Sequence, residues 1–136
     1  MSPAAARTTH LPVLAVISAG GVLGALARYA LSEMWPHDPR DFAWSTWTIN
    51  VTGCFLIGVL MVLIARFRPG QRLVRPFWGV GVLGGYTTWS AFAVEVVGLT
   101  DAGAVATAAG YVVVSVVGGV LAVAAGVLAV RRRPAP

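Results

Sequence analysis

Within an apolar run from about Phe77 to Leu99, the chain places Gly84-Gly85-Tyr86-Thr87-Thr88-Trp89-Ser90-Ala91-Phe92, followed by Glu95. Water is absent from a bilayer core, so each polar group there needs a protein partner or a water-filled cavity. Paired glycines loosen a helix, and the carbonyls so freed must point at something. Two readings follow. One is a broken helix lining an ion path. The other is a kinked span packed closely on a neighbour through its small residues.

Polar residues elsewhere in the apolar runs bear on the choice. Arg28, Thr46, Asn50, Tyr111 and Ser115 join Thr87, Thr88 and Ser90 as a set rich in hydrogen-bond donors, with one fixed cation. A cation pathway wants carboxylate rings or ranks of carbonyls. A donor-rich path suits a small anion better. Aromatic edges are positive through the ring quadrupole. Trp89 and Phe92 are three apart, hence neighbours on a helix, and can offer such edges. Asn50 either joins two helices by a hydrogen bond of about 1 kcal/mol or donates to an anion, with Thr46 one turn earlier to assist. Glu95 fits worst, since it repels an anion unless protonated or occupied in receiving a hydrogen bond.

Composition sets the class. The chain has 136 residues, 57% hydrophobic and 11% charged, with mean hydropathy +0.79. Soluble domains carry about 25% charged residues, and a soluble chain this short cannot hide so much apolar surface. An all-α membrane protein is predicted, as a single domain over residues 1–136 with spans at about 11–31, 44–65, 77–99 and 104–130. Net charge +5 and a pI near 10.7 suggest nucleic acid in a soluble protein. Here the arginines sit in short segments between apolar runs, as topology signals do, and a nucleic-acid partner is rejected. Cys54, the one cysteine, packs as a small hydrophobe. No nucleophile–base pair, metal cluster or phosphate loop points to an enzyme.

Along the chain, Met1 to His10 reads as a polar start, expected to fray. Arg7 and Leu11–Ala19 imitate a signal peptide, but apolar residues run on past Ala19, so an uncleaved first span is predicted. Gly20, Gly24 and Arg28 share one helix face. The glycines admit a close neighbour, while Arg28 faces protein or water or snorkels to the interface. Trp44, Trp47 and Trp78 suit interfacial belts. Pro69-Gly70 and Asp101 to Gly103 mark turns. In the fourth span Tyr111, Ser115 and Gly119 form one row, and Gly118, Ala122 and Gly126 an adjacent packing seam. Four spans put both termini on one side. That side carries eight arginines (Arg7, Arg66, Arg68, Arg72, Arg75, Arg131, Arg132 and Arg133) against Arg40 alone on the other. Both termini are therefore predicted to be cytoplasmic.

Three motifs in order carry a family likeness: Gly20-Gly21-x-x-Gly24-Ala25-x-x-Arg28, Asn50-x-x-Gly53-x-Phe55-x-x-Gly58, and Gly84-Gly85-x-Thr87-Thr88-Trp89-Ser90-x-Phe92-x-x-Glu95. The chain resembles the Fluc (CrcB) fluoride channels, small four-span proteins of bacterial plasma membranes. The resemblance implies an antiparallel dimer with two narrow fluoride pores, for passive export of fluoride. It implies a third helix broken at Gly84–Thr87, whose Gly84 and Thr87 carbonyls hold a structural Na+ shared by the two subunits. Trp89 and Phe92 would line the fluoride path, Asn50 would bond fluoride or hold that lining, and Thr88, Ser90, Tyr111 and Ser115 would form a polar track. Arg28 matches a basic residue near the cytoplasmic vestibule, although the arginine distribution puts the end of span one outside. Glu95 matches a carboxylate to which the residues assign no role.

Two departures stand out. Trp89 replaces the usual phenylalanine, and Ala91 a usual threonine. An antiparallel homodimer also calls for balanced arginines, whereas this chain is biased eight to one. It is therefore expected to pair with a homologue of opposite topology, and a non-conducting partner subunit is one alternative. A small multidrug-type four-span exporter is another; it needs an early embedded carboxylate, and Glu33 lies only at the edge of span one.

Overall fold

The computed structural model describes the backbone of residues 3–67 and 70–131, with side chains from His10 onward. Arg68, Pro69, Arg132 and Arg133, and the side chain of Arg7, lie outside the described residues. Every described element is helical: α1 Pro3–Met34, α2 Trp44–Phe67, α3 (Pro76–Leu83 continuing into Gly84–Tyr86), α4 Trp89–Asp101 and α5 Val105–Arg131. α3 and α4 together make the bent third span, so four spans are long and apolar enough to cross a membrane. α1 starts at Pro3 and runs through Pro12, so Pro3 to His10, within the start expected to fray, is helical.

Polar loops and capping turns end the spans. Between α4 and α5, Gly103 takes φ 76°, a left-handed conformation that a side chain disfavours. Ala104 N–H donates to Leu99 O at 2.8 Å and Gly103 N–H to Thr100 O at 3.0 Å. This double bond pattern satisfies the last carbonyls of α4.

α1 packs on α3, α2 on α5, and α4 on α5, while α1 does not reach α4 or α5. Small residues set both main crossings. A Cβ on Gly24 would strike Val82 O, and one on Gly85 would strike Gly21 O. At the other crossing, a Cβ on Gly58 would strike Val123 O and one on Gly126 would strike Phe55 O. Backbone meets backbone at each place, where dispersion rather than water exclusion holds helices in lipid. Gly126 thus belongs to the seam that spacing predicted.

The stretch Pro76–Leu83 is π-helical, a wide winding found mostly in short pieces and often near functional sites. It delivers Gly84 to the break. Large aliphatic side chains such as Leu23, Leu26, Val113, Val120 and Leu121 are exposed, as suits surfaces that meet lipid rather than water.

Candidate functional site

The third span breaks at Thr87 and Thr88, whose ψ values of 155° and 116° are extended. Two adjacent β-branched residues favour that conformation. Gly84 itself is helical, with φ −67° and ψ −34°. The two glycines therefore differ in purpose: Gly85 lets α1 approach, while Gly84 faces open space.

Side chains and backbone bridge the break. Leu83 O accepts from both the N–H and the Oγ1 of Thr87, each at 2.9 Å. Asn50 on α2 reaches across: Thr88 N–H donates to its Oδ1 at 2.8 Å, and its Nδ2 donates to Thr88 O at 3.0 Å. Thr88 Oγ1 then caps α4 by accepting from Ala91 N–H at 3.1 Å. These bonds have a consequence for two carbonyls. The helical donor to Gly84 O is Thr88 N–H, and the helical donor to Thr87 O is Ala91 N–H. Both donors are diverted, so Gly84 and Thr87 are left with carbonyls outside the helical ladder.

Beside the break lies a cavity of ≈ 390 Å³, lined among others by Asn50, Cys54, Thr88, Trp89, Phe92 and Ser115. Ser115 Oγ is buried with no hydrogen-bond partner among the described residues. An unpartnered buried hydroxyl is costly, roughly 1–3 kcal/mol, and suits a visiting solute or water. Aromatic rings continue from the cavity into the core. The centroids of Trp89 and Phe92 are 5.0 Å apart, those of Phe92 and Tyr111 5.2 Å, and Phe42 meets Tyr111 edge-on at 4.9 Å. Trp89 is 76% exposed while Phe92 and Tyr111 are buried, so the cavity opens on one side at the indole.

Glu95 sits below as a junction of three helices. Its Oε1 accepts from Thr46 Oγ1 on α2, and its Oε2 from the hydroxyl of Tyr111 on α5, both at 2.6 Å. His37 Nε2 in the α1–α2 loop lies 4.0 Å from Oε1. Both carboxylate oxygens receive hydrogen bonds, which is the condition under which the sequence could accommodate an acid here.

The structure thus gathers Asn50, Thr88, Trp89, Phe92 and Ser115 around one cavity. Tyr111 is one step behind, against Phe92 and Glu95. Ser90 is exposed, with its Oγ 3.3 Å from Thr88 Oγ1, and does not line the cavity. Arg28 is half-buried on α1, away from α4 and α5. Thr46 serves Glu95 rather than Asn50.

The family profile described as CrcB-like protein, Camphor Resistance (CrcB), matches residues 15–127. The chain belongs to the CrcB family. Among curated CrcB relatives, the fluoride-specific ion channel FluC 2 of Nocardia farcinica is 49% identical over 110 residues, 81% of this chain and 79% of its own length. FluC 2 of Streptomyces avermitilis is 51% identical over 100 residues, 74% of this chain but 63% of its own length. FluC 1 of Mycobacterium bovis is 43% identical over 119 residues, covering 88% and 90%.

Sequence reasoning missed two features of this CrcB chain. Cys54 lines the cavity, and Glu95 closes a triad with Thr46 and Tyr111. The available signal for the triad was three polar residues on different spans, which pair only once the helices are placed. The triad makes a testable prediction. Tyr111→Phe leaves Glu95 Oε2 without its donor inside an apolar bundle, and is expected to cost about 1–3 kcal/mol. Thermal unfolding in detergent measures it as a clearly lowered midpoint.

Proposed function

We propose that this chain is one subunit of a fluoride channel that lowers cytoplasmic fluoride by passive export across the bacterial plasma membrane. The observation that carries the reading is the joining of an opened backbone, two adjacent rings and an orphaned Ser115 hydroxyl in one cavity. The relatives named as fluoride-specific channels support the choice of ion. A dehydrating fluoride ion needs donors and positive ring edges in exchange for water. Ser115 and the remaining N–H of the Asn50 amide supply donors, and Trp89 and Phe92 supply edges. The apolar remainder of the cavity penalises any polar solute that the donors do not satisfy. The role is transport rather than catalysis.

The Gly84 and Thr87 carbonyls fit a structural Na+, since their helical donors are diverted and Gly84 is exposed. Oxygen donors suit a hard cation. Such an ion would supply fixed positive charge, held here by the Gly84 and Thr87 carbonyls. The exposed Trp89 and Gly84 mark the face that an antiparallel second subunit would cover. The arginine bias supports cytoplasmic termini and a partner of opposite topology.

The test is fluoride efflux from liposomes loaded with fluoride or chloride, read with ion-selective electrodes. The chain alone is expected to give little efflux, and the chain with an opposite-topology homologue fast, fluoride-selective efflux. Full activity of the single protein would remove the heteromeric part of the proposal. Chloride passing as freely as fluoride would remove the rest.

A further inference from the structure

A second cavity lies away from the candidate site, at the arginine-rich ends of α2 and α5. It measures ≈ 390 Å³ and is lined by Phe55, Val59, Leu63, Arg66, Phe67, Ala129 and Val130. Its origin is geometric. Gly58 and Gly126 bring the two helices into backbone contact, and the groove runs from that crossing to Arg66 and Val130. Apart from Arg66, every lining side chain is apolar.

We propose that this groove seats one anionic phospholipid from the leaflet on the arginine-rich side, with an acyl chain between α2 and α5 and its phosphate at Arg66. Three observations point to a lipid. The first is depth. Phe55, Val59, Leu63 and Arg66 recur at helical spacing, and the eleven steps from Phe55 to Arg66 rise about 16 Å. Half of a hydrocarbon core is about 15 Å, so the groove is one leaflet deep. The second is polarity. An acyl chain meets the apolar wall without leaving any polar group unpaired, as a soluble polar ligand would. The third is charge. The Arg66 guanidinium stands 5.5 Å from the Phe67 ring centroid at the end of α2, and α5 ends alongside in Arg131. Cations at these C-terminal ends match an anionic headgroup. The inference depends on the chain spanning a membrane, and not on which ion it passes.

The experiment is native mass spectrometry of the full chain from mixed micelles containing phosphatidylglycerol or phosphatidylcholine with identical acyl chains. Wild type is expected to retain phosphatidylglycerol about five- to tenfold better than phosphatidylcholine, the preference that one well-placed arginine gives. Arg66→Gln is expected to remove that preference. Ala129→Phe, which fills the groove and keeps every charge, is expected to lower retention of both lipids. Arg72→Gln, on the exposed loop of the same side, is the control and is expected to leave retention unchanged. Equal retention of the two lipids by wild type overturns the proposal, as does an equal loss in Arg66→Gln and Arg72→Gln. A change in oligomeric state in Ala129→Phe with lipid retention intact assigns the groove to a second subunit and also overturns it.

Discussion

Replacing Asn50 by aspartate is expected to abolish fluoride passage. Asn50 uses both ends of its amide on one residue, accepting from Thr88 N–H and donating to Thr88 O. Aspartate can keep the first bond but not the second, so a carboxylate oxygen would face a carbonyl oxygen. It would also set a negative charge on the wall of the cavity an anion must enter. An uncompensated charge in such a place costs about 3 kcal/mol or more, which corresponds to roughly a hundredfold or greater loss of rate. Electrode recordings of efflux, made on the subunit pairing that conducts, measure it. Flux within a factor of two of wild type would show that Asn50 braces the break from off the path.

The largest expected effect on stability belongs to Gly24. Its missing Cβ is what lets α1 lie against Val82 O and Tyr86 N on α3. Gly24→Ala puts a methyl group against backbone that cannot rotate aside, so one helix must move. Overpacking of this kind costs about 1–3 kcal/mol and sometimes more. Gly21, three residues earlier in the same helix, has nothing within 4 Å of its would-be Cβ. Gly21→Ala is therefore expected to be neutral or to stabilise by roughly 0.5–1 kcal/mol, through helix propensity alone. Unfolding midpoints of the two variants should move in opposite directions or differ widely. Equal midpoints would remove the packing argument for the α1–α3 crossing.

Much of this arrangement was legible in the chain because it rests on local rules. Gly20 and Gly24 announced a close crossing, Gly126 a packing seam, Gly103 a turn, and Gly84 to Thr87 a break in an otherwise apolar span, which the structure sets at Thr87 and Thr88 with Gly84 still helical. What escaped depends on partners far apart in sequence. Asn50 was open to two readings, and its bonding partner Thr88 lies 38 residues away. Glu95 had no role until Thr46 and Tyr111 were brought to it, from 49 and 16 residues away. The π-helical winding of Pro76–Leu83 has no side-chain signature, since the same apolar residues suit an ordinary helix. Arg28 was placed on the path by its charge, its depth and the family likeness, and the structure puts it half-buried on α1. Depth does not say which neighbours a helix has, and α1 lies against α3.

The ties across α2 also constrain motion. Asn50 holds the start of α4 through Thr88, and Thr46, one turn earlier on α2, holds Glu95 two turns further along α4. A rod pinned at two heights to its neighbour resists both swivel and swing. Opening or shutting by rocking this half-helix would require breaking both pins together. Such bracing suits a passage of constant width at this level better than one that this half-helix opens and shuts.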